Sequence, residues 1–296
     1  MSKMSKRSDK THNMYEKTKL FTLSTFLVVW LCLMVDYTDT QLVINVRNQG
    51  GDVVQENISA NVTDDTITLE FQRSDGTLVT QLIDFRNEVQ VLKSLILGEE
   101  ERGQSQYQVM CFIFYFPKDS FISSDAMAKL RQKNPSAIRL PEEDLGRTNH
   151  SMDYVVLLKH AGIISPHIGD LCNEAGLATY TLHEDVVKWA TAQGIPLSSY
   201  KPALKRFPTS PDRFLTNDLG AEDFLSSCTD MKNMWTPCEC HLELCIGWYP
   251  CGLKYCKGKS HTKNSVMSYR CGIKTCKICH LFNYYVSQKQ QCLWDE

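Results

Sequence analysis

Ten of the thirteen cysteines lie between Cys228 and Cys292. Cysteine at that density has two ordinary fates. In an oxidising compartment it forms a disulfide framework, and where thiols stay reduced it forms a metal site. The ten are Cys228, Cys238, Cys240, Cys245, Cys251, Cys256, Cys271, Cys276, Cys279 and Cys292. A tract of about seventy residues buries too little surface to be stable without such constraints. Aromatic residues interleave with the cysteines, among them Trp235, Trp248, Tyr249, Tyr255, Tyr269, Phe282, Tyr284 and Trp294. The expected product is a small disulfide core wrapped by aromatics, with a connectivity that sequence does not disclose.

The amino terminus decides the compartment. Leu20–Val35 carries no charge and follows Lys3, Lys6, Arg7, Lys10, Lys17 and Lys19. A basic leader before a short apolar run reads as a secretory signal. A bilayer span needs about 20 apolar residues, so the run is short for a permanent anchor. Cleavage is expected near Thr40–Gln41. A type II anchor with a luminal carboxyl end is the alternative, and it delivers the same residues to the same lumen. Three sequons, at Asn57, Asn61 and Asn149, agree with that compartment. Removal of Cys32 with the signal leaves twelve cysteines, an even number suited to complete pairing.

From residue 41 the chain alternates at period two. Leu42–Arg47, Val53–Glu56, Thr66–Phe71 and Leu78–Ile83 predict four strands, the last two joined by an Asp75-Gly76 turn. Val89, Leu92, Leu95 and Ile96 then fall at helical spacing and predict a helix ending at Gly98. Val109–Phe116 is continuously apolar, as expected of a central strand buried on both faces. A capped helix is expected over Ser123–Lys133, a mobile polar loop over Leu140–His150, a strand over Met152–Leu158, and a helix from Ser165-Pro166 through Leu177. His183–Ala192 continues or follows that helix. Gly194–Asp218, with four prolines and no period, reads as a linker. The organisation is therefore signal (1–40), α+β domain (41–192), linker (193–227) and cysteine-rich domain (228–296). The α+β domain has only Cys111 and Cys172. A bond between them is favoured over two buried free thiols.

The α+β domain resembles the BRICHOS family of luminal chaperone-like domains, whose signature is one aspartate and two cysteines on a sheet flanked by two helices. Asp84 in Ile83-Asp84-Phe85 matches the aspartate, and Cys111 and Cys172 match the cysteines. The resemblance implies a domain that binds β-prone segments by strand addition and apolar contact. It also makes Asp84 a pH-sensitive structural switch. The residue-level alternative is a helix N-cap, since Asp84 precedes the expected helix. Over its whole length from about residue 41, the chain resembles the secreted out at first family. The match is carried by Leu95–Glu99, Ala126–Pro135, Trp248–Cys251, Leu253–Cys256 and Gln291–Glu296. That resemblance marks Cys245 and Cys279 as additions to the usual set of cysteines and implies that they pair with each other.

The chemistry on offer is thin. No phosphate-cradling glycine loop, carboxylate pair or nucleophile motif stands out, so no catalytic residue, metal or cofactor is assigned. His160, His167 and His183 read as ordinary histidines. Cys276-Lys277-Ile278-Cys279-His280 leaves three alternatives: a thiol–disulfide oxidoreductase site, a zinc module with Cys238-Glu239-Cys240-His241, and a haem-attachment pattern. Charge is split, with a carboxyl-terminal part from Cys228 that is basic and a middle that is acidic. Neither field has the strength of a nucleic-acid footprint. The expectation is a secreted, non-enzymatic interaction protein, possessing no stable membrane insertion after signal cleavage. Its partner is an extracellular protein or a β-prone peptide segment.

Overall fold

Antiparallel pairing between neighbours in sequence builds most of the molecule. The structure, a computed structural model, describes residues 40–47, 51–98, 101, 107–132, 134–207, 226–259 and 266–292. The signal segment with Cys32, most of the expected linker, and Leu293–Glu296 lie outside the described residues. Six strands form a meander: β1 (Thr40–Arg47), β2 (Val53–Asn61), β3 (Thr66–Gln72), β4 (Leu78–Asp84), β5 (Val89–Leu97) and β6 (Tyr107–Tyr115). Two-residue β7 (Ile138–Arg139) pairs beside β1. On the far side β10 (Thr179–Thr181) joins β6 in parallel, followed by β9 (Tyr154–Val156) and β11 (Leu204–Arg206). These make one ten-stranded sheet. A second sheet has three strands: β12 (Cys238–Lys259), β13 (Val266–Val286) and β8 (Glu143–Ser151).

Side-chain alternation gives the large sheet two apolar faces. One face presents Leu82, Val89, Val91, Cys111 and Ile113 to Ile164, Ile168, Val186, Trp189 and Tyr200. These come from short helices, α2 (His167–Leu171) and α3 (His183–Gln193), and from 3₁₀ turns at Leu158–Ile163 and Leu197–Ala203. Trp189 Nε1–H donates to the Glu88 carbonyl at 3.0 Å, so the largest buried ring keeps its polar atom satisfied. The other face presents Ile44, Ile58, Leu69, Leu92 and Phe112, and the β12–β13 hairpin covers it with Leu244, Ile246, Trp248, Phe282 and Tyr284. The protein is thus mostly β, in three layers: helices, large sheet, disulfide-rich hairpin.

Several local expectations are corrected. Val89–Leu97 is a strand, not a helix. Both of its faces are covered, so apolar residues occupy both parities and imitate helical spacing. Leu140–His150 is not a loop: Glu143–Ser151 pairs in parallel with β13. Its side chains are almost all exposed, so it shows no apolar period; the main-chain ladder is joined by surface ion pairs such as Arg147–Glu243 and by half-buried His150. The first helix, α1, is only Ser124–Ala128, with the Ser123 hydroxyl accepting from Ala126 N–H. The expected helix from Ser165 through Leu177 shrinks to His167–Leu171. Part of the expected linker is structured as the 3₁₀ turn and β11. The carboxyl-terminal aromatics do not wrap a core of their own. Trp248, Tyr249, Phe282 and Tyr284 are buried in the same cluster as the large sheet, while Trp235, Tyr255 and Tyr269 are exposed.

Candidate functional site

Twelve cysteines form six bonds: Cys111–Cys172, Cys228–Cys238, Cys240–Cys292, Cys245–Cys279, Cys251–Cys276 and Cys256–Cys271. Three of them are rungs across the hairpin. Cys245 lies directly opposite Cys279, and the next two rungs follow register breaks in the ladder. Two more tie the segments before β12 and after β13 to the start of β12. A long hairpin can slip in register by steps that turn its apolar face outward, and covalent rungs forbid this. Cys276 and Cys279 belong to different bonds and are both buried, so the Cys-x-x-Cys segment holds no dithiol couple in this state. Glu243, Cys245 and Cys279 come close enough to suggest a metal site, but the two sulfurs are bonded to each other and offer no thiolate.

The seam between sheet and hairpin concentrates the unusual chemistry. Glu56 on β2 faces the hairpin and is 2% exposed. Its carboxylate accepts from the backbone N–H groups of Gly247 and Trp248. These two residues fall in the register break between Ile246 and Tyr249, where β12 does not pair with β13. The second carboxyl oxygen of Glu56 has no hydrogen-bond partner. Burial outweighs the two N–H bonds and pushes the Glu56 pKa up to about 8. Glu56 also lines a cleft of about 520 Å³, beside Arg47, Arg73, Asp144, Glu243 and Lys277. Arg73 bridges the layers by donating to the Glu243 carbonyl at 3.3 Å.

Gly247 permits this approach. A Cβ there would sit 3.0 Å from Val46 Cγ1 and 3.4 Å from Glu56 Oε1. Gly247→Ala is expected to lower stability by about 1–3 kcal/mol, the usual cost of overpacking. Gly252→Ala, whose Cβ would meet only Lys274 Cβ at 3.8 Å, should change it little. Urea unfolding of both variants checks this, and equal midpoints would remove the role given to Gly247.

A second cluster lies on the same seam over β6. Phe282 stacks on Phe112 with ring centroids 4.1 Å apart and planes at 6°. Phe114 packs against both His150 and His280. His150 Nε2 and His280 Nδ1 are 3.0 Å apart, one donating and the other accepting. His280 Nε2 has no partner. Burial, and then the neighbouring His150, push the His280 pKa down to about 3, and burial lowers that of His150. Sequence singles out neither Glu56 nor His150, and it offers His280 only as the end of the Cys276–His280 zinc and haem alternatives. Glu56 ends a polar-looking strand segment, and nothing local signals that His150 and His280 meet.

The remaining sequence-derived residues are scattered. Asp84 is 1% exposed at the end of β4. No helix follows it, so it is not a helix N-cap. Its carboxylate accepts from Arg86 N–H at 3.0 Å, Asn87 N–H at 3.1 Å, the Asn87 side-chain amide at 2.7 Å and Ser165 Oγ–H at 2.6 Å. It therefore holds the β4–β5 turn and ties it to the helical layer. Asn149 is exposed on β8, and Asn57 and Asn61 are half-buried on β2. The Asn61 side chain caps a turn, accepting from Asp64 N–H at 3.1 Å and donating to the Asp64 carboxylate at 2.7 Å. His160 and His183 are exposed and His167 is half-buried.

A ten-stranded sheet, helices on one face and a disulfide-laddered hairpin on the other define a disulfide-stapled, layered β protein. Comparison with known families places it further. Residues 40–189 match Out at first, and residues 227–296 match Out at first, C-terminal. The chain belongs to the Out at first family. It is 55% identical over 280 residues to the Out at first protein of Drosophila virilis, covering 92% of this chain and 87% of that one. It is 53% identical over 285 residues to the Out at first protein of Drosophila melanogaster, covering 92% of this chain but only 56% of that longer protein. No solved structure matches it significantly. Among the described residues, no helix is long and apolar enough to cross a membrane.

Proposed function

We propose that the protein is a secreted, non-enzymatic interaction protein acting in extracellular developmental signalling. On this reading its sheet is of the BRICHOS type and holds the protein's own disulfide hairpin as an internal client. The observation that carries the reading is the seat of Phe282–Val286. Phe282, Tyr284 and Val286 are each no more than 2% exposed, with Phe282 and Tyr284 against Phe112 and Tyr284 also against Tyr180. A chaperone-like sheet face would receive a β-prone segment in this way, by apolar contact of its alternate side chains rather than by strand addition. The six disulfides support an oxidising compartment. The external partner is then an extracellular protein, met by surfaces other than the covered face.

Intact mass of protein recovered from culture medium, with and without reduction and alkylation, tests the compartment. Twelve alkylations appearing only after reduction, an amino terminus near Gln41 and added glycan mass are expected. Free thiols without reduction, or retention inside cells without glycan, would overturn the reading.

A further inference from the structure

The distal half of the hairpin does something the fold does not require. Beyond Leu253 and Ile273, which still touch the core, the described side chains of the ribbon are exposed or half-exposed. Tyr255 is 59% and Tyr269 55% exposed. Yet this arm is stapled by Cys256–Cys271 and, past one register break between Lys254 and Tyr255, stays paired out to Lys259 and Val266. A segment that buries so little, yet is held rigid, gains its shape for something outside the molecule.

Its charge says what. Leu253–Lys274 contains six cations and no acidic residue. Tyr255 lies opposite Arg270, and Lys257 opposite Ser268. Arg270 and Lys257 therefore share one face as diagonal neighbours, roughly 7–8 Å apart. Neither has an ion pair among the described residues. Two more cations, Lys254 and Lys274, are held by Glu142 and Glu143, but as solvent-exposed pairs. Such pairs add little and can be exchanged for a stronger anion. The rest of the molecule is acidic between residues 41 and 227, so it repels a polyanion and leaves the ribbon as the point of attachment.

We propose that this ribbon binds a linear sulfated polysaccharide. Lys257 and Arg270 flank Tyr255 on one face of the ribbon, and Lys254 and Lys274 share the other face with Tyr269. A rigid ribbon with cations on both faces suits repeated sulfates along an extended chain that follows its edge, and the exposed Tyr255 and Tyr269 give flat apolar faces for sugar rings. The choice of polysaccharide over nucleic acid rests on the extracellular reading above.

The test is salt elution of the purified, oxidised full chain from immobilised heparin, so that failure of binding and failure of secretion are seen separately. Retention at about 0.15 M salt is expected, where screening already removes diffuse attraction. Lys257→Glu/Arg270→Glu should elute at lower salt, with affinity down about tenfold and a shallower salt dependence. Its thermal midpoint and six disulfides should be unchanged. Lys159→Glu/Lys201→Glu, the same charge change on the helical side, should elute like the parent. No retention of the parent, equal elution of both variants, or equally tight binding of duplex DNA of matched length would each overturn the proposal.

Discussion

Raising the pH from 6.5 to 8 should cost the folded protein about 2 kcal/mol of stability, and Glu56→Gln should abolish that loss. The sign follows from where the proton sits. Glu56 has its pKa raised from 4.5 to about 8. Across that window the folded state holds a proton that the unfolded chain has released, so rising pH favours unfolding. His280 works from the other side. Its pKa is lowered from 6.5 to about 3, so the unfolded chain binds a proton that the folded state refuses, and falling pH favours unfolding. Between pH 4.5 and 6.5 the two slopes oppose each other, with His150, whose pKa burial also lowers, adding to the histidine side just below 6.5, so stability changes little across the window. Below pH 4.5 only the His280 slope remains. The expected profile is a plateau with a shoulder falling on each side.

Guanidinium unfolding midpoints from pH 4 to 9 read this profile directly. Glutamine keeps an oxygen for the Gly247 and Trp248 N–H groups, so the variant should fold and be flat from pH 6.5 to 8. A parent protein that is equally flat there would count against a carboxyl group buried under the hairpin. A variant that still loses stability would assign the slope to another group.

The large sheet was readable because alternation is a local signal. β1 to β4 and the doubly buried β6 each announce themselves within six or so residues. β5 did not, because burial on both faces erased its alternation. β8 did not, because all its side chains but His150 stay in water and leave no apolar period. Tertiary cover decided both, and no local window contains it. The cysteines revealed a stapled module, but not that the staples are rungs of one hairpin laid over the large sheet. The same gap hid Glu56. In Val53-Val54-Gln55-Glu56 it looks like the solvent end of a strand, and only β12, nearly two hundred residues later, buries it. Asp84 was legible as a structural residue but its role was misplaced, because the helix it was expected to cap is a strand.

Removing the Cys111–Cys172 bond by Cys111→Ala/Cys172→Ala should lower stability by roughly 4 kcal/mol, more than removal of any single hairpin rung. The bond closes a loop with a sequence separation of 61. No other bond overlaps that loop, so its loss frees the unfolded chain over the whole span. The hairpin rungs are nested instead. Cys251–Cys276, with a separation of 25, lies inside Cys245–Cys279, with a separation of 34. With the outer rung intact, losing the inner one releases little extra freedom. The consequence is also local. Cys111 lies on the helical face of β6 and Cys172 ends α2, both fully buried. Amide exchange should therefore accelerate over His167–Gln193 while Phe282–Val286, on the opposite face, stays protected. If Cys251→Ala/Cys276→Ala proved the more damaging change, the hairpin rather than the sheet-to-helix tie would be the keystone of stability, and the three-layer account of how this chain holds together would fail.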